Sequence, residues 1–225
     1  MRILAIDTAL EACSAAVLDT ADDGLTARSL PMVRGHAEAL MPLIAAAMSD
    51  AAVEFAELDR IAVTVGPGSF TGLRVGVAAA RAIGLAAGKP AVGVTTLAAL
   101  AAPFFDDGIG GTVMSIIDAR HDRVYMQLFG PGGRSLVAPR IATVHIATHA
   151  ALAGPTRIVG NATALIEAMW PAGEPAPSVS AVRAPDVAWV ARLGAASDDL
   201  TAPVRPLYLS DADVHPQEAG ILPRR

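Results

Sequence analysis

Cysteine and aromatic residues are scarce in this sequence. Its 225 residues include one cysteine, Cys13, and only 4% aromatic residues. A single cysteine excludes a disulfide framework within the chain and is typical of proteins in a reducing compartment. Hydrophobic residues nevertheless make up 53% of the chain, which is enough to bury one large core or two small ones. A core rich in small side chains lets helices pack closely, and it leaves apolar helix faces that could serve a partner.

Long apolar runs and clustered positive charge are also lacking. The best apolar candidate, residues 90–105, is shorter than the about 20 residues that a membrane span needs, and residues 1–7 lack the h-region of a signal peptide. The formal net charge is −5 and the basic residues are scattered, whereas nucleic-acid binding depends largely on clustered Lys and Arg. We therefore expect a cytoplasmic protein that contacts no membrane and reaches RNA only through a partner.

The order of predicted elements indicates an α/β fold that is built twice. The first copy is a three-stranded meander followed by strands with helical crossovers, which is the order of a ribonuclease-H-like unit. Its strands are predicted at 3–6, 14–18, 26–33, 60–65 and 91–94, and its helices at 36–52, 71–87 and 95–102. A Pro-, Gly- and Asp-rich stretch at 103–111 then marks a boundary.

After the boundary the same order begins again in shortened form. Strands are predicted at 112–117, 123–129, 135–144 and 157–159, and helices at 145–152, 162–170 and 185–195. We predict an N-terminal domain at 1–106, a smaller C-terminal domain at 107–212, and a flexible tail at 213–225. No residue-level internal repeat is visible, so the duplication is inferred from element order.

Two segments of the first copy could hold an anion. Asp7 and Thr8 follow a buried strand and open a hairpin, and the glycine-rich turn with Gly66, Gly68 and Ser69 lies between a strand and a helix. Free backbone N–H groups at a helix start bind phosphate well. Capping of the turn by Asp7 and of the helix by Ser69 explains the same residues without a ligand. The segment lacks the Gly-Lys-Ser/Thr ending of a P-loop, so it would be a degenerate phosphate loop.

Several motifs together resemble those of the TsaB (YeaZ) family. They are Ile6-Asp7-Thr8-Ala9 with Glu11-Ala-Cys-Ser14, Gly66-Pro-Gly-Ser-Phe-Thr-Gly72-Leu-Arg74-Val-Gly76, Gly93-Val-Thr-Thr-Leu97, Ile117-Asp118-Ala-Arg120 with Val124-Tyr125, and Arg205-Pro206-Leu-Tyr208-Leu209. The resemblance implies the actin/Hsp70/sugar-kinase fold with two tandem domains, the second shortened. It also implies a non-catalytic subunit that supports the catalytic paralogue TsaD, together with the ATPase TsaE, in threonylcarbamoyl transfer to adenosine of tRNA.

The resemblance further implies a dimer contact through the helices that begin near His36 and Thr71. Helix 71–87 has apolar residues on two faces, which either a second chain or the rest of the same protein could cover. The residues expected at the contact are His36, Leu40, Leu43, Ile44, Thr71, Arg74, Val75, Ala79 and Ile83. A homodimer through the same surface is expected when the partner is absent.

The metal-binding motif of the catalytic paralogue has no counterpart here. Its two histidines fall on Thr96 and Leu100 of this chain, and its glutamate falls on Ala98. Leucine cannot bind a metal and threonine is a poor ligand. We therefore expect no cofactor bound by this chain alone, with ATP and metal used by the partner subunits.

Two other functions compete with this one. An independent ATP-dependent phosphotransferase of the same superfamily would need adenosine-pocket glycines in the second domain, for which Gly160-Asn161-Ala162 is the candidate. A metallopeptidase is a third hypothesis, against which the missing ligand pair argues.

Overall fold

The first of two sheets is built from the N-terminal part of the chain. The computed structural model describes residues 1–105, 111–153, 156–198 and 203–209. Its first sheet has the order β3-β2-β1-β4-β5, with β1–β2 and β2–β3 antiparallel and β1–β4 and β4–β5 parallel. The strands are β1 Arg2–Asp7, β2 Ala12–Asp19, β3 Gly24–Pro31, β4 Arg60–Gly66 and β5 Ala91–Thr95. The predicted meander with parallel crossovers is confirmed.

Two helices cover one face of this sheet. Helix α1, His36–Asp50, contains Pro42 as its seventh residue, where the missing N–H removes one hydrogen bond of the helix. Helix α2, Phe70–Ala87, begins at the capping side chain of Ser69 and ends at left-handed Gly88. Their inner faces share one core with β1, β2 and β4 that includes Leu40, Ile44 and Val77. A short helix α3, Thr96–Ala101, follows β5.

The second sheet repeats the first. Its order is β10-β9-β6-β7-β8, with β6–β7 and β7–β8 antiparallel and β6–β9 and β9–β10 parallel. The strands are β6 Thr112–Asp118, β7 Arg123–Phe129, β8 Ser135–Thr143, β9 Thr156–Gly160 and β10 Ser178–Ala181, and helices α4 Val144–Leu152 and α5 Thr163–Ala168 follow β8 and β9. The duplication is therefore confirmed, and the shortening lies in the helices. Strand β10 was not predicted, because four residues of Ser-Val-Ser-Ala on a sheet edge carry little pattern.

The last helix of each copy contacts the sheet of the other copy. Helix α6, Val187–Ala195, packs Val187, Val190 and Ala191 on the first sheet, and α3 packs Leu97, Leu100 and Ala101 on the second sheet. The buried Arg60 guanidinium donates to the carbonyls of Gly194, Ala195 and Ser197 at 2.6, 3.0 and 2.8 Å, which satisfies the end of α6. Part of the segment 107–212 thus lies on the N-terminal sheet, and the domain boundaries stay a prediction.

The described C-terminal segment, residues 203–209, returns to the first sheet. The Leu207 amide donates to the Val65 carbonyl at 2.7 Å, and Val204 is buried in the core of the first sheet. The predicted tail at 213–225 lies outside the described residues. By length and composition α2 could cross a membrane, but the core helix of a water-soluble protein meets the same criterion, so this is weak evidence.

Candidate functional site

The turn between β1 and β2 packs directly on the loop between β4 and α2. The Thr8 hydroxyl donates to the Gly72 carbonyl at 2.7 Å, and the Ser69 amide donates to the Ala9 carbonyl at 2.7 Å. A Cβ added to Gly68 or to Gly72 would collide with backbone carbonyl oxygens of the turn, so this approach requires glycine. We call residues 7–9 together with 66–72 the hairpin hub.

Asp7 is the buried carboxylate of the hairpin hub. Its Oδ1 accepts hydrogen bonds from the Thr64 hydroxyl at 2.6 Å and the Ala9 amide at 3.1 Å. Its Oδ2 has no hydrogen-bond partner among the described residues. Burial raises the pKa of Asp7 to about 6, and the hydrogen bonds from Thr64 and Ala9 and the charge of His36 oppose that rise. The carboxyl faces its own chain and has no exposed surface.

The residues predicted to form a degenerate phosphate loop do lie together in the hairpin hub. Asp7, Thr8 and Gly66 are buried, and Ser69 caps α2 by accepting from the Gly72 amide at 3.2 Å. The geometry thus agrees with the capping roles that the sequence left open. Phosphate binding stays a prediction, and the Asp7 and Thr8 side chains make their hydrogen bonds within the chain.

Apolar side chains of α3 and the second sheet form a cluster beside the turn after β1. Leu97, Leu100 and Ile117 are buried there, and Leu10, Tyr125 and Val182 pack against them. Thr96, the other position where the resemblance implies a metal-binding histidine in the catalytic paralogue, is also buried, and its hydroxyl has no hydrogen-bond partner among the described residues. No group of three or more His, Cys, Asp or Glu residues that could hold a metal occurs in the described part of the chain.

Five residues expected at the dimer contact lie instead in the core of the chain. They are His36, Leu40, Leu43, Ile44 and Ile83, all buried. The four apolar ones belong to the core shared with the first sheet, and the His36 Nε2 atom lies 3.3 Å from the Leu10 carbonyl oxygen. These five side chains offer little surface to a partner in the single chain, because the most apolar face of each helix covers its own sheet. Their part in a dimer contact stays a prediction. Val75 and Ala79 are half-buried, and Thr71 and Arg74 are exposed.

The outer faces of α1 and α2 carry apolar residues that the sequence reasoning missed. Met41 on α1 is 50% exposed, and Phe70 and Leu85 on α2 are 46% and 87% exposed. Small residues lie between them, namely Ala45, Ala78 and Ala82, all exposed. We call these outer faces, with Thr71, Arg74 and Arg81, the helix-pair surface. A single large apolar residue outside the core face, as Met41 and Leu85 are, was the signal available in the sequence.

The C-terminal segment orders one end of the helix-pair surface. The Arg74 guanidinium stacks 3.6 Å from the centroid of the Phe70 ring, and its Nε donates to the Tyr208 hydroxyl at 3.2 Å. The Phe70 and Tyr208 rings lie 5.6 Å apart. An open groove of about 460 Å³ follows along α2, lined by Arg74, Val77, Ala78, Arg81, Pro206 and Tyr208. The Arg205–Leu209 motif is thus placed where it fixes Arg74.

Comparison with known proteins identifies the family. The family model described as "TsaD: tRNA N6-adenosine threonylcarbamoyltransferase" matches residues 31–182. An uncharacterized protein of Mycobacterium tuberculosis is 36% identical over 219 residues, which are 95% of this chain and 94% of that protein. The tRNA threonylcarbamoyladenosine biosynthesis protein TsaB of Escherichia coli is 36% identical over 125 residues, which are 56% of this chain and 53% of TsaB.

A solved structure has the same fold throughout. A Pseudomonas aeruginosa protein described as similar to peptidase YEAZ superposes with a TM-score of 0.81 at 26% identity, covering 93% of this chain and 99% of that one. The resemblance and the fold class inferred from the motifs are therefore confirmed. This chain belongs to the TsaB (YeaZ) family and has the actin-like, sugar-kinase-like fold of two tandem sheets.

Proposed function

We propose that this chain takes part in the biosynthesis of threonylcarbamoyladenosine in tRNA as a non-catalytic subunit that docks on a TsaD-like catalytic paralogue. The names of the Escherichia coli relative and of the matching family model support the pathway. The main support for a subunit role is a contrast in exposure. The polar side chains of the hairpin hub at residues 7 and 8 are buried, whereas the helix-pair surface is exposed. Catalytic side chains must reach a substrate, whereas Asp7 and Thr8 have no exposed surface.

The residues at the positions where the resemblance implies metal ligands in the catalytic paralogue support a non-catalytic role for this chain. Leu100 packs in the apolar cluster beside the turn after β1, and its side chain offers no ligand atom. Thr96 is buried beside it at the start of α3. The same apolar cluster counts against an independent phosphotransferase, because it occupies the space beside a turn that was predicted to hold an anion. The ATP and the metal would then be used by the partner subunits.

The helix-pair surface is suited to burial against another protein. Met41, Phe70 and Leu85 supply large exposed apolar side chains, and such a patch is typical of an interaction site. The alanines between them let another helix approach closely. Burying these three side chains would remove their apolar area from water. Each Å² of buried apolar area would stabilise the contact by about 25 cal/mol.

The wider complex follows from the same proposal. A TsaE-like ATPase would join the pair, and tRNA would be reached through the complex, since this chain carries a net charge of −5 and is a poor RNA binder alone. Two copies would pair through the helix-pair surface when the partner is absent. We propose the cytoplasm as the location.

Co-expression with the TsaD-like protein of the same cell tests the docking. The tagged chain is compared with its Leu85→Glu variant and with Leu136→Glu, which changes a 40% exposed leucine on β8 of the other sheet. We expect wild type and Leu136→Glu to elute with the TsaD-like protein as one complex, and Leu85→Glu to elute alone. Retained binding by Leu85→Glu, with unchanged thermal unfolding, would rule out the helix-pair surface.

A further inference from the structure

Two arginines on the exposed face of α2 have no acidic partner in the part of the chain that the structure describes. Arg74 and Arg81 are both exposed, and they line the same groove. None of the ion pairs within the described ranges involves either guanidinium. Seven residues on a helix are about two turns, so the two Cα atoms lie about 10 Å apart along the axis. Arg74 is held in place by Phe70 and Tyr208.

We propose that Arg74 and Arg81 select the partner at the helix-pair surface, by receiving carboxylates from a partner helix and by opposing the pairing of two copies of this chain. The inference rests on the proposed function for the location of the contact. It adds the chemistry of the occupant, which is a helix with acidic side chains about two turns apart.

Helix packing over Ala78 explains why the occupant must be acidic. Ala78 is exposed and lies between the two arginines, so a helix that approaches closely there covers both guanidinium groups. Covering an arginine without a counter-charge is costly. A carboxylate accepts two parallel hydrogen bonds from the planar guanidinium, and Arg74 would lose little side-chain entropy because it is already held in place.

The same geometry weakens the homodimer expected in the absence of the partner, without preventing it. A two-fold contact is isologous, so two α2 helices that cross antiparallel near Ala78 bring Arg74 of one copy beside Arg81 of the other, twice. Like charges at an interface suppress the wrong pairing. Their repulsion is screened at high salt. The homodimer should therefore tighten as salt rises, whereas the complex with an acidic partner should weaken.

Sedimentation equilibrium of the full chain, alone and with the TsaD-like protein, tests this at low and at high salt. The Arg74→Gln/Arg81→Gln variant is compared with wild type and with Arg123→Gln/Arg140→Gln, which removes two exposed charges from β7 and β8. At low salt we expect the first variant to self-associate about five-fold more tightly than wild type and to bind the TsaD-like protein at least about ten-fold more weakly. The control variant should match wild type in both.

Each result has a defined meaning. Unchanged self-association or unchanged partner affinity in Arg74→Gln/Arg81→Gln overturns the inference, and so does an equal change in the control variant. If Leu85→Glu abolishes partner binding while the arginine variant leaves it intact, the inference fails and the proposed function stands. If neither variant affects partner binding, both fail.

Discussion

The buried carboxyl of Asp7 should make the stability of this protein depend on pH in a specific way. The pKa of Asp7 is raised by burial from 3.8 to about 6. Because the folded state holds the proton more tightly than the unfolded state, the stability that Asp7 contributes is fully present below pH 3.8 and is lost as pH rises towards and through 6. One pKa unit corresponds to about 1.36 kcal/mol, so this group costs the folded state about 3 kcal/mol above pH 6.

The Asp7→Asn variant removes that titration and keeps the shape. The amide oxygen can still accept from Thr64 and Ala9, while the new N–H₂ group replaces Oδ2, which has no partner among the described residues. An unsatisfied buried donor costs about 1–3 kcal/mol, so the absolute gain at neutral pH is smaller than the titration alone gives. The informative quantity is therefore the difference in free energy of unfolding between variant and wild type, and how that difference changes with pH.

Urea unfolding followed by circular dichroism from pH 4 to pH 7.5 measures this quantity. We expect the free energy of unfolding of Asp7→Asn, relative to wild type, to rise by about 2.5 kcal/mol over this range, with most of the rise below pH 6. Asp22→Asn, at an exposed turn, serves as the control and should show no such rise. A difference between Asp7→Asn and wild type that stays constant with pH would refute the buried-carboxyl interpretation.

Three further substitutions test the packing of the two sheets, each by urea unfolding. Ile44→Ala should cost about 2–5 kcal/mol because Ile44 is fully buried, whereas Met41→Ala, at a half-exposed position of α1, should cost less than about 1 kcal/mol; equal costs would contradict the assignment of buried and exposed positions. Gly72→Ala should cost about 1–3 kcal/mol because its Cβ would collide with the Thr8 carbonyl, while the exposed neighbour Thr71→Ala should change little. Arg60→Met should cost about 2–3 kcal/mol by leaving three carbonyls at the end of α6 without their donor, and a neutral effect would show that water replaces the guanidinium.

The duplicated fold could be predicted because its signals are local. Alternating and helical apolar patterns, glycine at Gly88 and the turn before α2 are set by neighbouring residues. Strand β10 escaped prediction because it is stabilised by pairing with β9, a contact that depends on the folded sheet. The position of α6 on the first sheet depends equally on distant partners, as the Arg60 contacts show.

The helices of the candidate site could be predicted, but not which chain covers each of their faces. Leu40 and Ile44 recur with helical spacing, and that spacing identifies one face without saying whether the same chain or a partner covers it. In this structure the chain's own sheet covers that face, because the sheet exposes an apolar face that must be buried. Met41 and Leu85 lie outside it, and Arg81 becomes informative only beside Arg74 and Tyr208.

Formation of threonylcarbamoyladenosine on tRNA from added threonylcarbamoyl adenylate, by purified TsaD-like and TsaE-like proteins of the same cell with ATP, with and without this chain, tests the central claim most directly. The account predicts that wild type and Asp7→Asn both support modification, whereas Leu85→Glu does not. The reason is that the hairpin hub only stabilises the fold, while the helix-pair surface contacts the TsaD-like protein. Suppose that Asp7→Asn folds and still binds the TsaD-like protein but no longer supports modification. That result would contradict the account, because it would show that the hairpin hub takes part in the reaction.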